Sequence, residues 1–253
     1  MESSRENTAP HGPETPAQYM MPPKASLDIG SIIGRTFTVL MKNPVVFFGL
    51  PLVTMIPSAI FIVVLPESAG VATNIVETIF NFIVQGAIAY AVYQALQDKV
   101  MNMNDALSSI VPVIGPLVST AIISSLGILL GLLLLIVPGL ILLCVWAVVV
   151  PACVVEKLGA MESLKRSAFL TKGHRWPLFA LALMTVLFML LVAGGVSLLV
   201  TFLTANETLG ALVGTLLSFV PMAFSCVLYA IVYYDLRVLK EGVSLSSLTN
   251  VFD

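Results

Sequence analysis

The chain has 253 residues, 58% hydrophobic and 10% charged, with a net charge of −2 and a mean hydropathy of +1.01. A soluble domain carries about 25% charged residues, so the composition is that of a polytopic α-helical membrane protein. The near-neutral charge speaks against a nucleic-acid partner, and continuous rather than alternating apolar runs speak against a β-barrel.

Residues 1–25 contain five prolines and almost no large aliphatic side chains. Such a segment cannot bury enough apolar surface to offset its chain entropy and reads as a disordered tail. It lacks the apolar core of a signal peptide. Residues 26–42 read as an amphipathic helix with Ser26 as N-cap. Asp28, Ser31, Arg35, Thr38 and Lys42 share one face, opposite Ile29, Ile33, Phe37, Leu40 and Met41. A helix of this kind lies in the membrane interface or packs on a partner, and the interface is the preferred reading.

Six membrane crossings follow, each near the roughly 20 residues a bilayer core requires. They are expected at about 44–65, 75–97, 113–136, 139–156, 176–203 and 208–234. Pro44, Pro51 and Pro57 should bend the first. Ala87, Ala91 and Ala95 give the second a face for close helix contact. No Asp, Glu, Lys or Arg occurs between Asp105 and Glu156, and Pro138-Gly139 is the expected hairpin turn inside that stretch. Gly127-xxx-Gly131 and Gly210-xxx-Gly214 serve either intrachain packing or dimerisation. The domain is expected over 26–242, with 243–253 a short polar tail.

An internal repeat of three helical hairpins is also expected, with units of roughly 26–98, 102–157 and 159–240. Asp105-Ala-Leu107 matches Glu162-Ser-Leu164, and Arg35-Thr36 matches Arg166-Ser167. With six crossings all twelve Lys and Arg fall on one side, while the opposite loops carry only Glu67, Glu77 and Glu207. The positive-inside rule then places both termini in the cytoplasm.

The charged connection 157–175 holds the candidate site. Glu162 and Arg166 stand four residues apart in the acid-first order that favours a helical ion pair. Lys172, Arg175 and Trp176 follow at the re-entry to the membrane. Together with Arg166 they form a set suited to anionic lipid headgroups, each base contributing about 1 kcal/mol near such a surface. Glu156 and Asp235 end crossings beside Lys157 and Arg237. Either acid is a candidate partner for Arg166, in a clamp that would be structural rather than catalytic. Phe169 falls toward the charged side of this helix and spoils the pattern.

Catalytic signals are absent. Cys144, Cys153 and Cys226 lie inside apolar runs without CxxC spacing and read as inert buried thiols. His11 and His174 are the two histidines, which makes a His-based metal or proton site improbable. No GxSxG, HExxH or phosphate-cradling loop occurs. No ionisable residue sits near the middle of a crossing, where coupled transporters usually need one. Thr54, Ser58, Asn81, Gln85 and Gln94 are the polar positions there.

The run IVPGLILLCVWAVVVPACVVEKLGAMESLKRSAFLTKGHRWPLF resembles the signature of the YciC-like bacterial inner-membrane proteins, a family that includes the membrane domain attached to some glycerophosphodiester phosphodiesterases. The resemblance covers about 26–242 and is specific around 136–177. It implies a six-helix domain in the bacterial cytoplasmic membrane and names no settled activity. The soluble barrel that carries catalysis in the fused members has no counterpart in this sequence, so phosphodiesterase activity is not carried over. The expectation is a non-enzymatic membrane scaffold without cofactor or metal. It would organise lipid, a partner protein or a second copy at its cytoplasmic face. The alternative is a transporter or channel for a lipid-like or small amphiphilic solute, suggested by repeated hairpins and proline-broken helices.

Overall fold

The computed structural model describes residues 27–52, 70–97, 99, 103–203 and 219–242. Regular structure among the described residues is helical throughout. Helix α1 spans Ile29–Lys42 after Asp28, and the expected cap Ser26 lies outside the described residues. Asn43 breaks the helix and Pro44 opens α2 (44–52), at a first-turn position where its missing N–H costs nothing. Helix α3 spans Gly70–Leu96. It starts five residues before the expected crossing, with no proline after Pro66 to stop it.

Helix α4 (Met103–Ser108) leads through a 3₁₀ turn at Val111–Val113 into α5 (Ile114–Leu134). Then come α6 (Ile136–Val145), α7 (Val149–Val155), α8 (Ala160–Thr171), α9 (Arg175–Leu203) and α10 (Phe219–Glu241). Among the described residues five stretches are long and apolar enough to cross a membrane: Thr78–Leu96, Met103–Leu134, Ile136–Val155, Arg175–Phe202 and Phe219–Glu241. Most of the expected first crossing, the loops holding Glu67 and Glu207, and Gly210-xxx-Gly214 lie outside the described residues.

The hairpin between α5 and α6 turns at Leu135, not at Pro138-Gly139. Leu135 alone is extended (φ −160°, ψ 136°), and Pro138 and Gly139 sit in the first turn of α6. Proline is tolerated there because the first N–H groups of a helix have no partner inside it. Gly139 serves contact rather than turning. An added methyl would lie 2.7 Å from the Leu132 backbone nitrogen, so only glycine lets the two helices meet. Gly127 likewise faces the Trp146 ring, and Gly131 faces Gly139. The α5 glycine pair is thus used for packing within the chain.

Helix α10 is the centre of the bundle. It touches α1, α3, α7, α8 and α9, and 67% of its most apolar window is buried, against 6% for α9. The core gathers Phe47 and Leu50 of α2, Ala87, Ile88, Ala91 and Val92 of α3, nearly all of α7, and Val227, Leu228 and Ile231 of α10. The alanine face of α3 is buried, including Ala95, as close helix packing requires. On α1 the inward stripe is Ile32, Thr36, Val39 and Leu40, while Phe37 and Met41 point outward.

Candidate functional site

Helix α8 is held under the bundle by a break in the chain's most apolar stretch. Residues 146–148 interrupt the helix between α6 and α7. The break leaves the Val145 carbonyl without its intrahelical partner. Ser167 Oγ donates to that oxygen at 2.8 Å and Thr171 Oγ1 at 3.2 Å. Such groups must be satisfied internally where no water reaches them. Ser163, Ser167 and Thr171 are all buried, so the small hydroxyl face of α8 points inward. The expected pair of Glu162 with Arg166 does not form. Glu162 accepts from the Gly159 N–H at 3.2 Å and caps the start of its own helix, where a carboxylate also suits the helix dipole.

Arg166 instead faces the ends of the crossings. Its Nε donates to Glu156, 2.9 Å from Oε1 and 2.8 Å from Oε2, and its Nη2 pairs with Glu241. Tyr233 donates its hydroxyl to Glu156 Oε1 at 2.6 Å, and Arg237 Nε donates to Glu241 Oε2 at 2.9 Å. Half-burial works against the Arg166 charge, but the bonds to Glu156 and Glu241 outweigh it and push its pKa up. Asp235 is the partner of Arg35, not of Arg166 or Arg237. Arg35 Nη1 donates to Oδ1 at 2.8 Å and Nη2 meets Oδ2, the bidentate fork that a lysine cannot make. The clamp thus joins α1, α8 and the end of α7 to the last turns of α10.

Lys172, Arg175 and Trp176 take no part in it. All three are exposed, Trp176 to 83%. Lys157, Lys165 and Lys240, each next in sequence to a clamp residue, are exposed as well, and with Lys172 and Arg175 they make a basic rim. Phe169 belongs to this rim, with the Arg166 guanidinium carbon and Lys240 Nζ each 5.9 Å from its ring centre. The odd aromatic on the charged side is therefore flanked by two cations. Lys157 ends α7 in the left-handed region (φ 50°). Leu158 N–H bonds back to the Cys153 carbonyl at 3.2 Å, the Schellman pattern usually built on glycine.

Glu241 and Tyr233 were not legible as site residues: Glu241 lies past the expected end of the last crossing at 234, and Tyr233 falls inside that crossing. The four-residue step from Arg237 to Glu241 was the available signal. No group of three or more potential metal ligands exists among the described residues.

Among the described residues, fold and clamp together define a helical protein with five membrane-length helices, bound at one end by arginine–carboxylate pairs. The chain belongs to the family defined by a domain of unknown function (DUF7847), which it matches over residues 68–243. No curated protein and no solved structure matches it.

Proposed function

We propose that the protein is a non-enzymatic scaffold of the bacterial cytoplasmic membrane, with six crossings and both termini in the cytoplasm. Its charged face would gather anionic lipid and, through that lipid or directly, a partner protein. One observation carries the reading: at this end of the bundle Glu156, Asp235 and Glu241 are occupied by the clamp, while Lys165, Lys172 and Arg175 face outward beside the exposed Trp176. A surface so arranged attracts anionic headgroups, and tryptophan prefers their depth in the bilayer. The described Lys and Arg cluster around this end, in keeping with a cytoplasmic orientation. The repeat of hairpin units is supported by Arg35 and Arg166, since each meets the acid that ends a crossing of another unit.

The test is lipid retention. Protein extracted from membranes and analysed by mass spectrometry should carry phosphatidylglycerol in excess over zwitterionic lipid. The variant K165Q/K172Q/R175Q should lose most of that excess. Equal retention of both lipid types by the wild type, or unchanged retention by the variant, would end the proposal.

A further inference from the structure

Beside the clamp, between α3 and α10, lies a second cluster, which shares Tyr233 and Arg237 with it. The rings of Tyr93 and Tyr234 stack with centres 5.9 Å apart and 16° between planes. Tyr233 meets Tyr234 edge-on at 5.2 Å. Tyr234 is only 3% exposed, and its hydroxyl has no hydrogen-bond partner among the described residues. Gln97 follows Tyr93 by four residues, one position past the end of α3. Both atoms of its amide are buried without a partner among the described residues. Arg237 follows Tyr234 by three residues on α10. Glu241 takes its Nε, and Arg166 shares that carboxylate. Arg237 Nη1 is buried and has no partner among the described residues.

Buried polar atoms are nearly always satisfied, and several unpaired ones in one place call for a specific explanation. Here the set is chemically coherent. A guanidinium N–H, a phenol O–H and an amide NH₂ are all donors, and one of them carries a charge. They come from two side chains of α10 and one just past the end of α3, so a group that satisfies them together must offer several acceptor oxygens. The amide oxygen of Gln97 and the phenol oxygen of Tyr234 can also accept, which suits a protonated oxygen of the same group.

We propose that Gln97, Tyr234 and Arg237 form a site for one phosphate group, carried by a lipid headgroup or by free phosphate. The site lies inside the bundle and is separate from the basic rim. It does not rest on the scaffold reading.

The full chain, delipidated in a neutral detergent, provides the test by thermal melting. Inorganic phosphate, phosphatidic acid and diacylglycerol of matching chains are added in separate titrations, with chloride at equal ionic strength as control. Melting temperature should rise with one or both phosphate compounds and not with diacylglycerol or chloride. A rise with inorganic phosphate identifies a free anion as sufficient, whereas a rise with phosphatidic acid alone identifies the headgroup. Tyr234→Phe removes only the unpaired hydroxyl, so the unliganded protein should melt no lower than wild type. Its half-maximal concentration should rise about tenfold, the worth of one hydrogen bond to an anion. Gln97→Leu should act in the same direction. The proposal is overturned if neither phosphate compound shifts the melt, or if both variants respond as the wild type does. Failure of the rim variant to change lipid retention would end the scaffold reading and leave this site standing.

Discussion

Replacing Arg166 by alanine isolates the clamp. The side chains of Arg166, Glu156 and Glu241 retain 20%, 15% and 22% of their surface, which places the network between two known limits. Exposed ion pairs contribute about 0.2–1 kcal/mol, while removing one partner of a buried pair costs about 3–5 kcal/mol. After the substitution Glu156 keeps the Tyr233 hydroxyl and Glu241 keeps Arg237, so neither acid is left bare. A loss of about 2 kcal/mol follows. For a protein of this size that corresponds to a fall in melting temperature of about 4–8 °C. Arg166→Lys keeps the charge but cannot reach both acids with one planar fork, so it should recover about half of the loss. Lys165→Ala, one residue away and exposed, should change little. Differential scanning fluorimetry in one detergent would compare the three. If Arg166→Ala melts within about 1 °C of Lys165→Ala, the guanidinium is not holding the bundle end together.

Five further outcomes are expected. Ser167→Ala with Thr171→Val strips both donors from the Val145 carbonyl and should cost about 1–3 kcal/mol in thermal melts. Gly139→Ala should destabilise by a similar amount, because its methyl meets the Leu132 backbone. Gly194→Ala in exposed α9 meets no atom within 4 Å and should gain up to about 1 kcal/mol of helix propensity. Lys157→Gly relieves the left-handed backbone and should also raise stability, by about 1 kcal/mol. In intact cells, a membrane-impermeant maleimide should label Leu135→Cys at the hairpin tip and reach Lys172→Cys only after permeabilisation; the opposite pattern would invert the orientation.

Much of the fold is readable from hydropathy because the bilayer leaves few options. A run without charge between Asp105 and Glu156 has to be helical, and five of the expected crossings appear as helices of membrane length. Local conformation inside those helices was less legible. Pro138-Gly139 looks like a turn, yet proline is equally at home in the first turn of a helix and glycine equally useful for contact. A single isolated residue, Leu135, turns the chain, and nothing in its chemistry announces that. The break at 146–148 was also hidden, since its freed carbonyl is satisfied by residues more than twenty positions away.

Helix α8 shows why polarity misleads most at the site itself. By polarity alone Ser163, Ser167 and Thr171 suit a solvated face and Met161 a buried one, yet the three hydroxyls are buried and Met161 is exposed, as is Phe169 on the charged side of the helix. In a water-soluble bundle that reversal would be unfavourable. Here the environment changes the sign. Small hydroxyls close their bonds onto main-chain carbonyls, Ser163 and Ser167 among them, and allow close approach, while Met161 and Phe169 face outward. The same inversion explains the arginines. Arg35 and Arg166 precede small hydroxyl residues, Thr36 and Ser167, which bury completely. Each buried hydroxyl sets the rotation of its helix, and that rotation turns the preceding arginine toward an acid at the end of a crossing. The Arg-Ser and Arg-Thr pairs share one arrangement, a buried hydroxyl beside an arginine that locks onto an acid, and at Ser167 the hydroxyl also docks its helix on the Val145 carbonyl.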